Sequence, residues 1–212
     1  MLPLGDDNST RRTIPFITYL LILANFIVFF IELTGGDPFI YSWSFIPAYF
    51  VANPAGEWVT IFTAMFMHAG WLHILGNMLY LWIFGDNVED RLGHGKFLIF
   101  YLLCGVAATF AQMASDPTSN VITLGASGAI AGVLASYLVL FPRQRVRVLV
   151  ISFVVPLPAI IVIGLWFILQ VFSQAGSTAA SGVAYMAHIG GFIAGLVLTF
   201  LLRGKPRSLT TY

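Results

Sequence analysis

Residues 11–33 read RRTIPFITYLLILANFIVFFIEL, and this stretch decides the class of fold. From Ile14 to Leu33 only Thr18, Asn25 and Glu32 interrupt an apolar run. A helix of roughly 20 such residues crosses a hydrocarbon core about 30 Å thick. Gly35, Gly36, Asp37 and Pro38 follow and close the run with helix breakers. Arg11 and Arg12 stand in front, as before a signal peptide. The run is too long for a signal peptide's apolar region, and no small-residue cleavage site follows it. It reads as a retained membrane span.

The rest of the chain repeats the pattern. Of 212 residues, 9% are charged and 58% hydrophobic, and the mean hydropathy is +0.89. Soluble domains carry about 25% charged residues. A soluble chain of this size cannot hide so much apolar surface. Composition thus excludes a soluble enzyme, a disordered tail and a nucleic-acid binder, which needs a basic face. The single cysteine, Cys104, excludes an intramolecular disulfide and a cysteine-cluster metal site. Neither a metal nor a cofactor is expected.

Five further apolar runs cover residues 71–84, 97–114, 127–141, 158–172 and 183–202. The second run stops at Gly85, Asp86 and Asn87. The expected fold is an all-α membrane protein: one domain over residues 1–212, its core at about 11–203, forming a bundle of six transmembrane helices. The ten Lys and Arg residues sort by loop. Arg11 and Arg12 precede the first span, and Arg91 and Lys96 separate the second and third. Arg143, Arg145 and Arg147 separate the fourth and fifth, and Arg203, Lys205 and Arg207 follow the sixth. The other three loops have none. Cations collect on the cytoplasmic side, so both termini are read as cytoplasmic. The outer loop 35–70 is long and rich in rings, among them Tyr41, Trp43, Phe45, Tyr49 and Trp58. Such rings favour the bilayer interface, and the loop reads as membrane-associated.

Polar residues inside such a bundle are candidates for chemistry. They are His68, His73 and Asn77 around the second span, Ser127 opening the fourth, and His188 in the sixth. Asn25, Gln112, Ser136 and Gln170 read more simply as interhelical hydrogen bonds. Ser127 sits in Gly125-Ala126-Ser127-Gly128, where a loop turns into a helix. It is either an N-cap or a nucleophile beside free backbone N–H groups. Depth bears on that choice. Ser127 lies 16 residues before Arg143, His188 lies 15 before Arg203, and Asn77 lies 14 before Arg91. At about 1.5 Å per residue these are roughly 24, 22 and 21 Å from the cationic side. Three helices therefore bring Ser, His and Asn to one level, with His73 one turn from Asn77 on the same face. A hydroxyl, an imidazole and a donor pair fit acyl transfer. No acid lies in the last three spans, so a Ser127–His188 dyad is preferred, with Asp116 in the outer loop left open as a third member. Gly191 and Gly195 form a G-x-x-x-G after His188, and the fourth span offers Gly128, Ala131, Gly132 and Ala135 to receive it.

These motifs together resemble the rhomboid intramembrane serine proteases. The matching features are Gly125-Ala-Ser127-Gly128, Ala187-His188-Ile-Gly-Gly191 through Gly195, and the His68, His73 and Asn77 run, in six spans with a long first loop. The resemblance implies Ser127 as nucleophile and His188 as general base. It implies His73, Asn77 and the Ser127 backbone N–H as oxyanion donors. His68 matches a structural histidine, and Gly125, Gly128, Gly191 and Gly195 support the site. The implied substrates are single-span or multi-span membrane proteins, cut near the outer end of a transmembrane segment in a prokaryotic plasma membrane. The loop 173–182 resembles a cap over the site. Some relatives stack a tyrosine, four residues after the nucleophile, on the base; here that position is Ala131, so another group must restrain the imidazole. Some relatives also have a Trp-Arg pair in the first loop, which has no Arg here. His94, in a cationic loop, reads as solvent-facing. Two other readings are a non-catalytic relative that binds transmembrane clients, and a small channel or transporter. The retention of both Ser127 and His188 argues against the first. The clustering of polar residues in one half of the bilayer argues against the second.

Overall fold

The structure is a computed structural model that describes residues 2–9, 11–176 and 183–203. It is mostly helical. Helix α1 is Phe16–Trp43, and three short helices follow: α2 Pro47–Ala52, α3 Pro54–Glu57 and α4 Thr60–Thr63. A 3-10 turn, Ala64–Phe66, leads to α5 Trp71–Leu92, α6 His94–Ser115 and α7 Ser127–Leu140. Helices α8 Ala159–Gly176 and α9 Tyr185–Leu202 complete the bundle. Among the described residues four helices, α1, α6, α8 and α9, are long and apolar enough to cross a membrane. Helix α7 is apolar but only 14 residues long. Its residues from Gly128 to Tyr137 are all buried, because α5, α6, α8 and α9 pack around it. A short span is tolerated where protein rather than lipid surrounds it.

Four expectations change. Gly36 does break α1, with φ 61° and ψ −161°, but helix resumes and runs on to Trp43. Gly85, Asp86 and Asn87 do not end the second apolar helix, since α5 continues to Leu92 with all three buried. The extra turns persist because their polar groups find partners on the N-terminal segment. Arg11 Nη1 donates to Asp86 Oδ2 at 2.6 Å, and Asn87 Nδ2 donates to Asp6 and Asn8 at 2.7 Å each. Glu89 accepts the Ile17 and Thr18 backbone N–H groups at 3.0 and 2.7 Å. Those are free donors of the first turn of α1, whose flanking Pro15 supplies no cap. A carboxylate from another helix caps α1 where the macrodipole favours negative charge.

The third change is to the all-α class. Strands β1 Leu2–Gly5, β2 Arg145–Val150 and β3 Phe153–Pro158 form an antiparallel sheet in the order β1-β2-β3. The alternation Arg145-Val146-Arg147-Val148 is a period-two signal, and both valines are fully buried. His94 also differs from expectation. It opens α6, half-buried, with Nδ1 2.5 Å from Glu89 Oε1 and its ring against Phe16.

The loop between α1 and α5 is strapped to the turn before α7. Phe45 N–H donates to Thr123 O at 3.1 Å and Thr123 N–H returns the bond at 2.7 Å. Phe45 is fully buried, whereas Tyr41, Trp43, Tyr49 and Trp58 stay exposed. The strap delivers the segment before Ser127 to its place.

Candidate active site

Ser127 is the first residue of α7, and its side chain does not cap the helix. The turn before it depends on Gly125, whose φ of +121° suits glycine. Gly125 N–H donates to Ala64 O at 2.8 Å, and a Cβ there would lie 2.8 Å from His73 Cε1. The hydroxyl of Ser127 is bonded to His188 Nε2 at 2.7 Å. His188 lies in the first turn of α9, so two helix beginnings meet at this bond.

Glycine makes the meeting possible. A Cβ on Gly191 would lie 2.0 Å from the Gly128 carbonyl oxygen, and one on Gly195 would lie 2.4 Å from that of Gly132. Backbone touches backbone along α7 and α9, as small-residue spacing permits.

The other face of the imidazole has a partner that the sequence did not assign. His188 Nδ1 is 2.8 Å from Gln170 Oε1, on α8. Gln170 Nε2 donates to the Trp166 carbonyl one turn back at 3.3 Å. That bond turns the amide oxygen toward the ring. An oxygen can only accept, so Nδ1 carries the proton and the Nε2 lone pair faces Ser127. The Trp166 ring lies 5.9 Å from the imidazole, tilted at 37°, and Tyr185 lies 6.4 Å away, edge-on. These groups surround the imidazole where Ala131 offers no ring. Asp116 does not take part, because its carboxylate accepts from Thr118 in its own turn.

His73 and Asn77 project from α5 one turn apart. Ala69 N–H donates to His73 Nδ1 at 3.3 Å, which leaves the ring proton on Nε2 beside Gly125. Asn77 is buried, and its Nδ2 has no protein partner among the described residues. An orphaned buried donor is costly, and a bound water or a functional use offsets that cost. His68 packs edge-on against His73 at 5.0 Å. Its backbone N–H is held by both carboxylate oxygens of buried Glu32, at 3.0 and 3.1 Å. In the sequence Glu32 marks only an interruption of the first apolar run. A cavity of about 20 Å³ opens beside Ser127, lined by Ala64, Met65, Ala108, Thr109 and Leu124. It has room for one water. Of the loop 173–182, residues 173–176 belong to the end of α8 and the rest lies outside the described residues.

A family model described as the Rhomboid domain matches residues 55–205. The chain is 30% identical over 198 residues to rhomboid protease GluP of Bacillus subtilis, covering 92% of this chain and 36% of GluP. It is 28% identical to the putative rhomboid protease YdcA of the same organism, over 90% of this chain and 89% of YdcA. It is 28% identical to rhomboid protease GlpG of Salmonella paratyphi A, over 87% of this chain and 62% of GlpG. The chain thus spans about a third of the length of GluP and most of that of YdcA. With the matched domain spanning well over half of its residues, the chain belongs to the rhomboid family.

Proposed function

We propose that the chain is an intramembrane serine endopeptidase that hydrolyses peptide bonds in or near transmembrane segments of other membrane proteins, close to the outer face. The observation that carries this reading is the 2.7 Å bond between Ser127 Oγ and His188 Nε2. It joins a nucleophile to a base within hydrogen-bond reach, on two helices wedged together by glycine. Relatives named as proteases support the class of reaction.

The chemistry follows from the donors and acceptors present. Ser127 Oγ attacks the scissile carbonyl carbon while its proton passes to His188 Nε2. The carbonyl oxygen becomes an oxyanion and accepts hydrogen bonds from His73 Nε2, Asn77 Nδ2 and the Ser127 backbone N–H. The imidazolium then protonates the leaving amine, and the C–N bond breaks to leave an acyl-enzyme. Water, deprotonated by His188, attacks the ester carbonyl and restores Ser127. In this reading the six helices α1, α5, α6, α7, α8 and α9 cross the bilayer, the termini are cytoplasmic, and the membrane is a prokaryotic plasma membrane.

A fluorophosphonate probe tests the proposal. It should label the purified chain, and Ser127→Ala and His188→Ala should label at background. Equal labelling of Ser127→Ala removes the nucleophile from the mechanism.

A further inference from the structure

We propose that Gln170 is a positioning residue that sets the tautomer and ring orientation of His188, making the working unit a Ser127–His188–Gln170 chain. The inference rests on the serine-protease reading above and deepens it. Two consecutive bonds carry it: Ser127 Oγ to His188 Nε2 at 2.7 Å, and His188 Nδ1 to Gln170 Oε1 at 2.8 Å. An imidazole acts as base at Nε2 only when its proton sits on Nδ1. In serine proteases with a triad an aspartate enforces this, and its loss leaves the wrong tautomer. No acid in α7, α8 or α9 can do so here. An amide can, provided that its oxygen and not its nitrogen faces the ring.

The amide is not free to turn. Gln170 Nε2 donates to the Trp166 carbonyl at 3.3 Å, an i to i−4 bond on the same helix. A flipped amide would set its oxygen against the Trp166 carbonyl, a repulsive contact in place of a bond. Helix α8 therefore reads out one tautomer. The same turn of α8 sets the Trp166 ring 5.9 Å from the imidazole. A neutral acceptor differs from a carboxylate in one respect: it orients the imidazole but gives the developing imidazolium no full counter-charge.

The substitution Gln170→Met keeps length and apolar bulk and removes the acceptor. Gln170→Glu keeps an acceptor and adds charge. Purified full chain in detergent is labelled with fluorophosphonate across a pH series, and its melting temperature is recorded. Gln170→Met should lower the maximal labelling rate about tenfold to 10²-fold, a part of what a general base contributes. The half-saturating probe concentration should stay at the wild-type value, and the melting temperature should fall by only about 2–4 °C, the cost of one lost part-buried hydrogen bond. Gln170→Glu should keep labelling and move the acid limb of the profile to higher pH by about a unit or more, because a nearby carboxylate favours the imidazolium. A wild-type rate in Gln170→Met, or an unmoved acid limb in Gln170→Glu, overturns the inference. If Gln170→Met does not fold, the Gln170→Glu profile decides alone. Background labelling of Ser127→Ala and His188→Ala beside wild-type behaviour of both Gln170 variants would sink Gln170 only. Wild-type labelling of His188→Ala would sink the dyad, and Gln170 with it.

Discussion

A Cβ on Gly191 would sit 2.0 Å from the carbonyl oxygen of Gly128, one residue after Ser127 and three residues after His188. The obstacle is backbone, so no side-chain rotation relieves it. Gly191→Ala should push α9 away from α7, costing about 3 kcal/mol or more of stability, at or beyond the top of the usual overpacking range. Fluorophosphonate labelling should fall with it, because the Ser127–His188 bond spans the same gap. Gly164→Ala on α8, where a Cβ meets nothing within 4 Å, is the matched control and should behave as wild type. Wild-type melting and labelling in Gly191→Ala would mean that the two helices do not meet on this glycine.

The donors on α5 should act in the transition state. His73→Ala and Asn77→Ala should each lower kcat about tenfold to 10³-fold with little change in KM, the range for oxyanion donors. Asn77→Ala should not destabilise the fold, since Asn77 Nδ2 makes no hydrogen bond among the described residues whose loss could weaken it. Cleavage of a transmembrane reporter at the wild-type rate by the double variant would remove both from the mechanism.

Glu32 ties α1 to the same site through the His68 backbone N–H. Glu32→Gln keeps an acceptor and should melt near wild type. Glu32→Leu leaves a buried N–H without a partner and should cost about 1–3 kcal/mol. Denaturant titration of both variants measures the difference. Equal stability would mean that His68 does not rely on Glu32.

Asp6 gives a pH dependence with a definite sign. Burial pushes its carboxyl above the ordinary carboxylate range, although Tyr137 and Asn87 donate to it and pull the other way. A raised value in the folded state favours the neutral form. Its contribution is therefore fullest below the unfolded value and is lost as pH rises through the folded one. Asp6→Asn removes that titration. The melting temperature of the wild type, relative to Asp6→Asn, should fall as pH rises above about 4, the ordinary value of an aspartate. A constant difference as pH rises would contradict the buried-carboxyl account.

Much of this architecture is written locally. The apolar runs give the long helices, because burial of about 20 consecutive side chains needs no distant partner to be recognised. Ser127, His188 and the glycines beside them are legible because residue type, spacing and depth along a helix are properties of neighbouring positions. The breaker signal at Gly36 was legible for the same reason, since a left-handed φ is a property of one residue.

What the tertiary structure decided is the partner of each buried polar group. Asp86 and Asn87 read as a helix end, yet α5 continues, because Arg11, Asp6 and Asn8 satisfy those side chains. Strand β1 forms only because β2 lies beside it, far along the chain. Gln170 reads as an interhelical hydrogen bond without a named partner and Glu32 as an interruption of an apolar run, and the folded chain supplies the partners: one accepts from His188 and the other from His68. A hydrogen bond requires two groups at a set distance and angle, and nothing in the sequence around one group states where the other is. The sequence by itself determined a membrane-helix bundle and the candidate Ser–His pair. Only the folded chain decided which amide orients the base, and which carboxylates hold the ends of the helices in register.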